Sequence, residues 1–487
     1  MFARGLIGYL PVNVVQAIAG FGAIVLFTRL LSPADYGAYA LGYSVMSLVH
    51  TCLFTWIESA MARFYMAEGE GGDQAGMLAT LYRTWLAMAL ALPVVGGLIL
   101  LVTPAPVNLK LALAAGLVAI VGRSVLKLEQ ERRRAAGEVG RFALFDMVQT
   151  GGGFLLGACL AALGWGGAGP LAGMGIAAAV LAVVALPIRG WRTNAAPVDR
   201  QRLVKYFAYG VPISLSLVLS LVLATTDRVV LAAYLNEAAV GAYHAGYSLS
   251  NRTLDVMFIW LGMAGGPAAV AAFERGGEAA LKRIALDQAR LMVLIAAPAA
   301  VGLALVARPL SELMVGKALA AEAGQVTPWI AVSALFAGAT TYYFHTAFTL
   351  ARRTRLLLLA MAIPAAANIM LVLALVPRFG LAGAMWATTA SYGLGLVSSA
   401  LLGRRAIVLP IPWATLGKVV IATGAMALAV LSTPTLGGVM ELAAKSVVGA
   451  ATYVLSALAL DAAGARSRLA EGLRWLTSRG VRSGAAA

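Results

Sequence analysis

An all-α polytopic membrane protein of about 14 transmembrane helices is the fold class the sequence predicts, on three observations. Of 487 residues, 61% are hydrophobic and only 12% charged, where a soluble domain carries roughly a quarter charged. Apolar runs long enough to span a bilayer, about 20 residues each, recur along the whole chain. Basic residues collect in every second connection between those runs. These features exclude a soluble enzyme, a nucleic-acid-binding factor and a disordered chain. The two cysteines, Cys52 and Cys159, both lie inside apolar runs, so neither a disulfide framework nor a thiolate metal site follows.

Taken in order, the predicted spans centre near Gly20, Ser47, Leu90, Leu117, Phe154, Ala178, Leu219, Ile259, Ala297, Leu335, Ala366, Tyr392, Ala422 and Val448. The first has a competing reading as a cleavable signal, since Arg4 precedes its apolar run and Ala17-Ile18-Ala19 mimics a cleavage site. The duplication described below favours a retained span. Lys and Arg in short loops hold those loops in the cytoplasm. Of the 37 Lys and Arg, 29 lie at the termini and in even-numbered connections, 7 in odd-numbered ones, and Arg252 inside a span. Both termini are therefore predicted cytoplasmic (N-in/C-in), and the formal net charge of +16 is chiefly a topology signal. Beyond the last span, Leu469, Leu473 and Leu476 share a helical face beside Trp475 and among arginines. That stretch reads either as a basic surface helix or as a disordered tail.

The chain is also predicted to be duplicated. Shifted by 204 residues, Leu31-Ser-Pro-Ala-Asp-Tyr-Gly-Ala-Tyr-Ala-Leu-Gly-Tyr-Ser-Val45 falls on Leu235-Asn-Glu-Ala-Ala-Val-Gly-Ala-Tyr-His-Ala-Gly-Tyr-Ser-Leu249, with eight of fifteen positions identical. At a shift of 205, Pro93, Gly97 and Pro104 fall on Pro298, Gly302 and Pro309. Six spans, an even number, separate equivalent points, so the two copies cross the membrane in the same sense. Transporters with parallel repeats hold substrate between the halves near mid-depth and rock one half against the other. The expected division is a first six-helix lobe (1–205), a second (206–405), two additional transmembrane helices (406–460) and a basic cytoplasmic tail (461–487). Pro93 and Pro298, inside spans three and nine, read as gating bends or as tolerated kinks.

The chemistry the chain lacks narrows its function. Gly316-Lys317 and Gly417-Lys418 are followed by Ala318 and Val419, so there is no phosphate-binding P-loop. His50, His244 and His345 are scattered without a His-Glu-x-x-His or Cys-x-x-Cys companion. No catalytic residue, metal or cofactor is predicted, and no connection is long enough for an extramembrane catalytic domain. Movement of a substrate across the bilayer is what remains.

Several segments resemble the polysaccharide transporters, the lipid-linked oligosaccharide flippases of the multidrug/oligosaccharidyl-lipid/polysaccharide exporter superfamily. They are Thr28-Arg-Leu-Leu-Ser-Pro-Ala-Asp-Tyr-Gly-Ala-Tyr39, then Asp227-Arg228 followed by Gly241-Ala-Tyr243, and Val376-Pro-Arg-Phe-Gly-Leu-Ala-Gly-Ala384 leading into Ser391-Tyr392. The resemblance covers spans one to twelve. It implies a V-shaped pair of six-helix bundles in the bacterial inner membrane that flips undecaprenyl-pyrophosphate-linked sugars by alternating access, for O-antigen, capsule or exopolysaccharide assembly. The implied partners are that lipid-linked oligosaccharide, membrane lipid, a polysaccharide polymerase and a chain-length regulator, with no nucleic acid. The second-copy motif Leu235-Asn-Glu-Ala-Ala-Val lacks the Pro and Asp of the first, so no role passes from Asp35 to it.

A pyrophosphate-sugar head needs a wet, cationic, hydrogen-bonding path, which makes polar groups at depth the candidates. For substrate binding they are Arg252, Asp255, Asn251, Arg29, His50, Asn13, Gln16 and Asn368; for ion coupling, Asp227, Asp255 and His50. Each has a plainer reading: Arg29 snorkels to headgroups, the amides join helices, Asp227 and Arg228 anchor span seven, and His50 packs. Arg252 lies about 18 Å below the outer boundary if its span begins near Val240, too deep to snorkel. Asp255, three residues on, is its expected partner, in a structural ion pair or in a cavity-facing grip on phosphate. Glu58, Arg63 and Asp146 are expected in surface pairs, and Gly153 and Gly157 at a close helix contact. His345 with its neighbouring aromatics reads as an interfacial belt or, more sharply, as a sugar-stacking site. The alternatives are a multidrug cation antiporter of the same superfamily, which needs a carboxylate-lined cavity, and a membrane-embedded polysaccharide ligase or polymerase, which needs a long outer loop.

Overall fold

The structure, a computed structural model, describes residues 2–70, 73–185 and 198–466, with the side chains of 2–10, 70 and 264 outside that description. The described residues form helices and turns without a strand. The helices are α1 (Phe2–Leu30), α2 (Pro33–Leu53), α3 (Thr55–Glu70), α4 (Gln74–Val102), α5 (Val107–Ala135), α6 (Val139–Ala162), α7 (Ala168–Ala185) and α8 (Arg200–Tyr234). They continue with α9 (Glu237–Leu305), α10 (Ala307–Met314), α11 (Lys317–Ala339), a π-helical turn (Thr340–Phe344), α12 (His345–Leu350), α13 (Thr354–Gly403), α14 (Trp413–Leu431) and α15 (Gly438–Ala459). The tail residues Leu469, Leu473, Trp475 and Leu476 lie outside the described residues.

Ten of these helices are long and apolar enough to cross a membrane, or eleven if α2 and α3, bent by 48°, count as one span. Two of the ten are double. At about 1.5 Å per residue the 69 residues of α9 would run about 100 Å, three times the hydrocarbon core of about 30 Å. The helix instead turns at Gly276-Gly277, where Gly277 takes φ +61°, a left-handed value that glycine adopts without a Cβ clash. Past the turn, Gln288 returns to Gly265, whose added Cβ would stand 2.4 Å from the Gln288 side chain. In α13 the turn is Gly380, at φ +56°, and Gly383 comes back against the Leu375 carbonyl. Counted this way, every predicted span centre lies inside a helix, the tenth in the more polar α11. Pro93 and Pro298 both sit within continuous helix.

Contacts group the chain into two compact units, Met1–Ser248 with Met314–Ala323 and Ala365–Thr388, and Leu249–Leu313 with Gly324–Pro364 and Thr389–Ala487. In the first unit α7 lies between α5 and α6, and small residues let it do so. A Cβ on Gly173 would meet the Gly157 backbone at 2.2 Å, and one on Gly153 would meet Met174 at 3.2 Å, so the close contact expected at Gly153 and Gly157 is present. One contact is reciprocal under the predicted shift. Gly37 packs against the Glu237 carbonyl and Gly241 against the Pro33 carbonyl, and at the 204-residue shift Gly37 corresponds to Gly241 and Pro33 to Glu237. Residue i meets j′ while i′ meets j, the pattern of a two-fold contact between equivalent elements.

The second unit has its apolar core where Leu254 and Phe258 of α9 meet Ala331 and Ala334 of α11 and Ala296 and Ala300 beyond the α9 turn. The π-helical turn frees the Tyr342 carbonyl, which accepts from Gln288 Nε2 at 3.2 Å. Helices α14 and α15 pack onto Val293, Leu294 and Ala297 through Val419, Ala422 and Tyr453, and the Tyr453 hydroxyl donates to the Leu294 carbonyl at 2.5 Å.

Candidate functional site

Between α2, α3, α5 and α8 the first unit forms an open cavity of about 560 Å³. The α2–α3 bend makes it. The chain turns at Phe54, whose ring is fully buried, and His50 and Glu58 stand on either side. Eight residues of straight helix would separate them by about 12 Å; here His50 Nε2 lies 2.9 Å from Glu58 Oε1. Arg63 continues the same wall, exposed and paired with no carboxylate among the described residues. Facing it, Lys127, Glu131 and Arg134 follow at i, i+4 and i+7 along α5, one helical face. Glu131 is 7% exposed and is shared between Arg134 at 2.5 Å and Lys127 at 3.6 Å. Tyr209, Ile213 and Leu217 of α8 form the apolar side, held close because Gly210 lies against the Trp56 carbonyl.

The base of that α5 face is a separate, buried network. Glu129, 1% exposed, accepts from Arg132 Nη2 at 2.6 Å, Arg133 Nε at 3.1 Å and the Tyr82 hydroxyl at 2.8 Å. With two of the helix's arginines engaged there, Lys127 and Arg134 are left to the cavity. Its wall thus carries three fixed cations, Arg63, Lys127 and Arg134, against two carboxylates, Glu58 and Glu131, with His50 beside Glu58. A second cavity in this unit, about 880 Å³ between α4, α5 and α7, is lined by Ala, Gly, Val, Leu, Ile, Pro93 and Trp165 without a charged group, and offers nothing to a phosphate.

The sequence-predicted residues fall in several places. In the first unit His50 reaches the cavity. Gln16 donates to Asp146 Oδ2 at 2.8 Å, joining α1 to α6; Asn13 is half-buried on the same helix. Arg29 donates to the Val25 carbonyl at 2.9 Å and the Met314 carbonyl at 3.4 Å. Asn368 is fully buried with neither amide atom hydrogen-bonded. Asp227 has no exposed surface and accepts from the Tyr243 hydroxyl, from Thr388 at 3.2 Å and from the Arg228 amide at 2.8 Å. Beside it Arg228 lies over the Tyr247 ring at 4.6 Å and reaches Ser44 Oγ at 3.3 Å, so this pair is enclosed and does not anchor the surface.

In the second unit Asn251, Arg252 and Asp255 share one turn of α9, but the expected Arg252–Asp255 pair is not formed. Asp255 Oδ2 accepts from Asn251 Nδ2 at 2.5 Å, and Arg252 is exposed. Arg252 acts on Asp255 only through a longer-range attraction. His345 Nε2 lies 3.4 Å from Ser399 Oγ. Glu58, expected in a surface pair, is instead 6% exposed, because the bend turns it inward. Sequence reasoning passed over Lys127, Glu131 and Arg134 as part of a basic connection, although their spacing was readable. Among the described residues no group of three His, Cys, Asp or Glu could hold a metal ion.

Membrane-length helices line a charged cavity, in the frame of a polytopic membrane protein. Residues 26–321, more than half of the chain, match the family described as polysaccharide biosynthesis protein, and the chain belongs to that family. No curated protein matches it. Among solved structures it is similar to the lipid II flippase MurJ in an inward closed conformation, with TM-score 0.79 and 13% identity over 94% of this chain and 99% of that one. It is also similar to an inward-facing multidrug resistance MATE family transporter of the MOP superfamily, with TM-score 0.65 and 13% identity over 82% and 97%. A MOP superfamily transporter from Pyrococcus furiosus matches with TM-score 0.55 and 15% identity over 82% and 92%. At such identities the likeness is one of fold.

Proposed function

We propose that the chain flips a lipid-linked oligosaccharide, its sugars joined to undecaprenol through pyrophosphate, from the cytoplasmic to the outer leaflet of a bacterial inner membrane. The product feeds O-antigen, capsule or exopolysaccharide assembly, alongside a polymerase and a chain-length regulator. The observation that carries this reading is the cavity wall of Arg63, Lys127 and Arg134 in a member of a polysaccharide biosynthesis family. Guanidinium groups grip phosphate oxygens with paired, charge-assisted bonds, and the neighbouring hydroxyls suit sugars. The lobes 1–205 and 206–405 rock to expose the head to either side, while the lipid tail stays in the bilayer. Lacking a P-loop, the cycle draws on an ion gradient or on consumption of the flipped lipid, with Asp227, Asp255 and His50 as the ion-linked groups. The cation-antiporter reading gains less support, since cations outnumber carboxylates in the cavity.

The test is flipping in sealed vesicles with and without an ion gradient, for the native chain and for Lys127→Gln combined with Arg134→Gln. The native chain is expected to flip without ATP, and the double variant to insert at normal abundance but lose at least nine-tenths of the flipping. Undiminished flipping by the double variant removes the cavity from the mechanism.

A further inference from the structure

Two of the three cavity cations are not free. Lys127 and Arg134 are half-exposed to the cavity, 42% and 50%, yet both are held by the buried Glu131 at 3.6 and 2.5 Å. Arg63, by contrast, has no carboxylate partner among the described residues. An entering phosphate therefore meets one available guanidinium and must take the other two cations from a carboxylate already in place.

We infer that Glu131 is a built-in competitor for the substrate's phosphate groups, and that it sets a preference for the doubly charged pyrophosphate diester over the singly charged phosphate diester of ordinary lipids. This rests on the proposed function. The discrimination follows from the charges. Counting the fixed charges alone, Arg63, Lys127 and Arg134 against Glu58 and Glu131 leave the wall at net +1. A phosphate diester finds only Arg63 without competition; at Lys127 and Arg134 its one negative charge is no more than the carboxylate it has to displace, so that exchange gains little and the desolvation remains. A pyrophosphate diester brings two, with enough oxygens to engage Arg63 and the α5 cations together. Bilayer phospholipids far outnumber the substrate, and a site with its cations fully available would stay loaded with them. Glu131 also returns to Lys127 and Arg134 when the head departs, which favours release. Its place at i+4 from Lys127 and i+3 before Arg134 fixes this competition in the helix itself.

The experiment measures calorimetric binding of two probes, P1,P2-dimethyl pyrophosphate and dimethyl phosphate, to the full chain in nanodiscs of neutral lipid at one salt concentration. The native chain is expected to bind the pyrophosphate probe at least tenfold more tightly than the phosphate probe. Glu131→Gln frees two half-exposed pairs and should tighten pyrophosphate binding about tenfold, while phosphate binding becomes measurable. Glu131→Asp, which keeps the charge, should retain the native preference and shows that the site still folds. A native preference preserved in Glu131→Gln overturns the inference while leaving the cavity as the head site. Absence of pyrophosphate binding in both native and Glu131→Gln proteins, or binding unaffected by Arg134→Gln, overturns the cavity reading and the inference with it.

Discussion

Asp227 illustrates what a single buried charge demands. Its carboxylate, without exposed surface, is met by the Tyr243 and Thr388 hydroxyls and by the Arg228 amide. Hydrogen bonds to a charged group are worth about 1.5 to 3 kcal/mol each, and a buried donor left without an acceptor costs a similar amount. Asp227→Ala removes the acceptor of all three, leaving the Tyr243 and Thr388 hydroxyls only each other at 3.0 Å, whereas Asp227→Asn keeps an oxygen in place. Thermal unfolding of the detergent-solubilised protein should therefore fall for both variants and further for alanine, by at least about 2 kcal/mol. Melting of the alanine variant at the native temperature would show that the cluster contributes no stability. The charged residues deep in apolar runs, Asp227, Arg228, Arg252 and Asp255, were legible in the sequence because hydrocarbon makes each one conspicuous. Their partners were not: Tyr243 lies 16 and Thr388 161 residues from Asp227. Lys127, Glu131 and Arg134 were hidden differently, since a basic connection already has an explanation in topology. The His50–Glu58 pair depends on a bend at Phe54, which is neither Gly nor Pro and announces no break.

At the scale of elements, apolar runs and glycines made most of the fold readable. Turns at Gly276-Gly277 and Gly380 fall between predicted spans, and the Gly153–Gly157 spacing predicts the α6–α7 contact that forms. The duplication was legible as matching letters, but its structural meaning was not. Only the structure places Gly37 on the Glu237 carbonyl and Gly241 on the Pro33 carbonyl, so that the glycine shared by the two matching segments is where those segments touch. The two sides are unequally tight, since an added Cβ would stand 1.7 Å from the Glu237 oxygen but 2.7 Å from the Pro33 oxygen. Backbone cannot move aside as a flexible side chain can. Gly37→Ala should cost about 1 to 3 kcal/mol of stability and Gly241→Ala less, read as the temperature at which the monodisperse fraction is halved. The reverse order, or no loss for Gly37→Ala, would mean that the crossing is looser than its geometry.

For the whole molecule, orientation decides what the cavity can do. Lys127 and Arg134 belong to a connection that the basic-residue bias assigns to the cytoplasm, as do Arg404 and Arg405 after span twelve. Residues 433–437, between α14 and α15, contain no Lys or Arg and belong outside. If the bias holds, the cationic wall is loaded from the cytoplasmic leaflet, where lipid-linked sugars are built, and flipping runs outward. In a background with Cys52 and Cys159 replaced, Leu436→Cys should react with a membrane-impermeant maleimide added to intact cells. Arg405→Cys should react only after permeabilisation. Both positions are exposed, so a difference in reaction reports sidedness and not burial. The opposite pattern would invert the chain and place Lys127, Glu131 and Arg134 on the far side of the membrane. The same three side chains would then receive the head after crossing, and their charge would retain a product that the pathway must hand on.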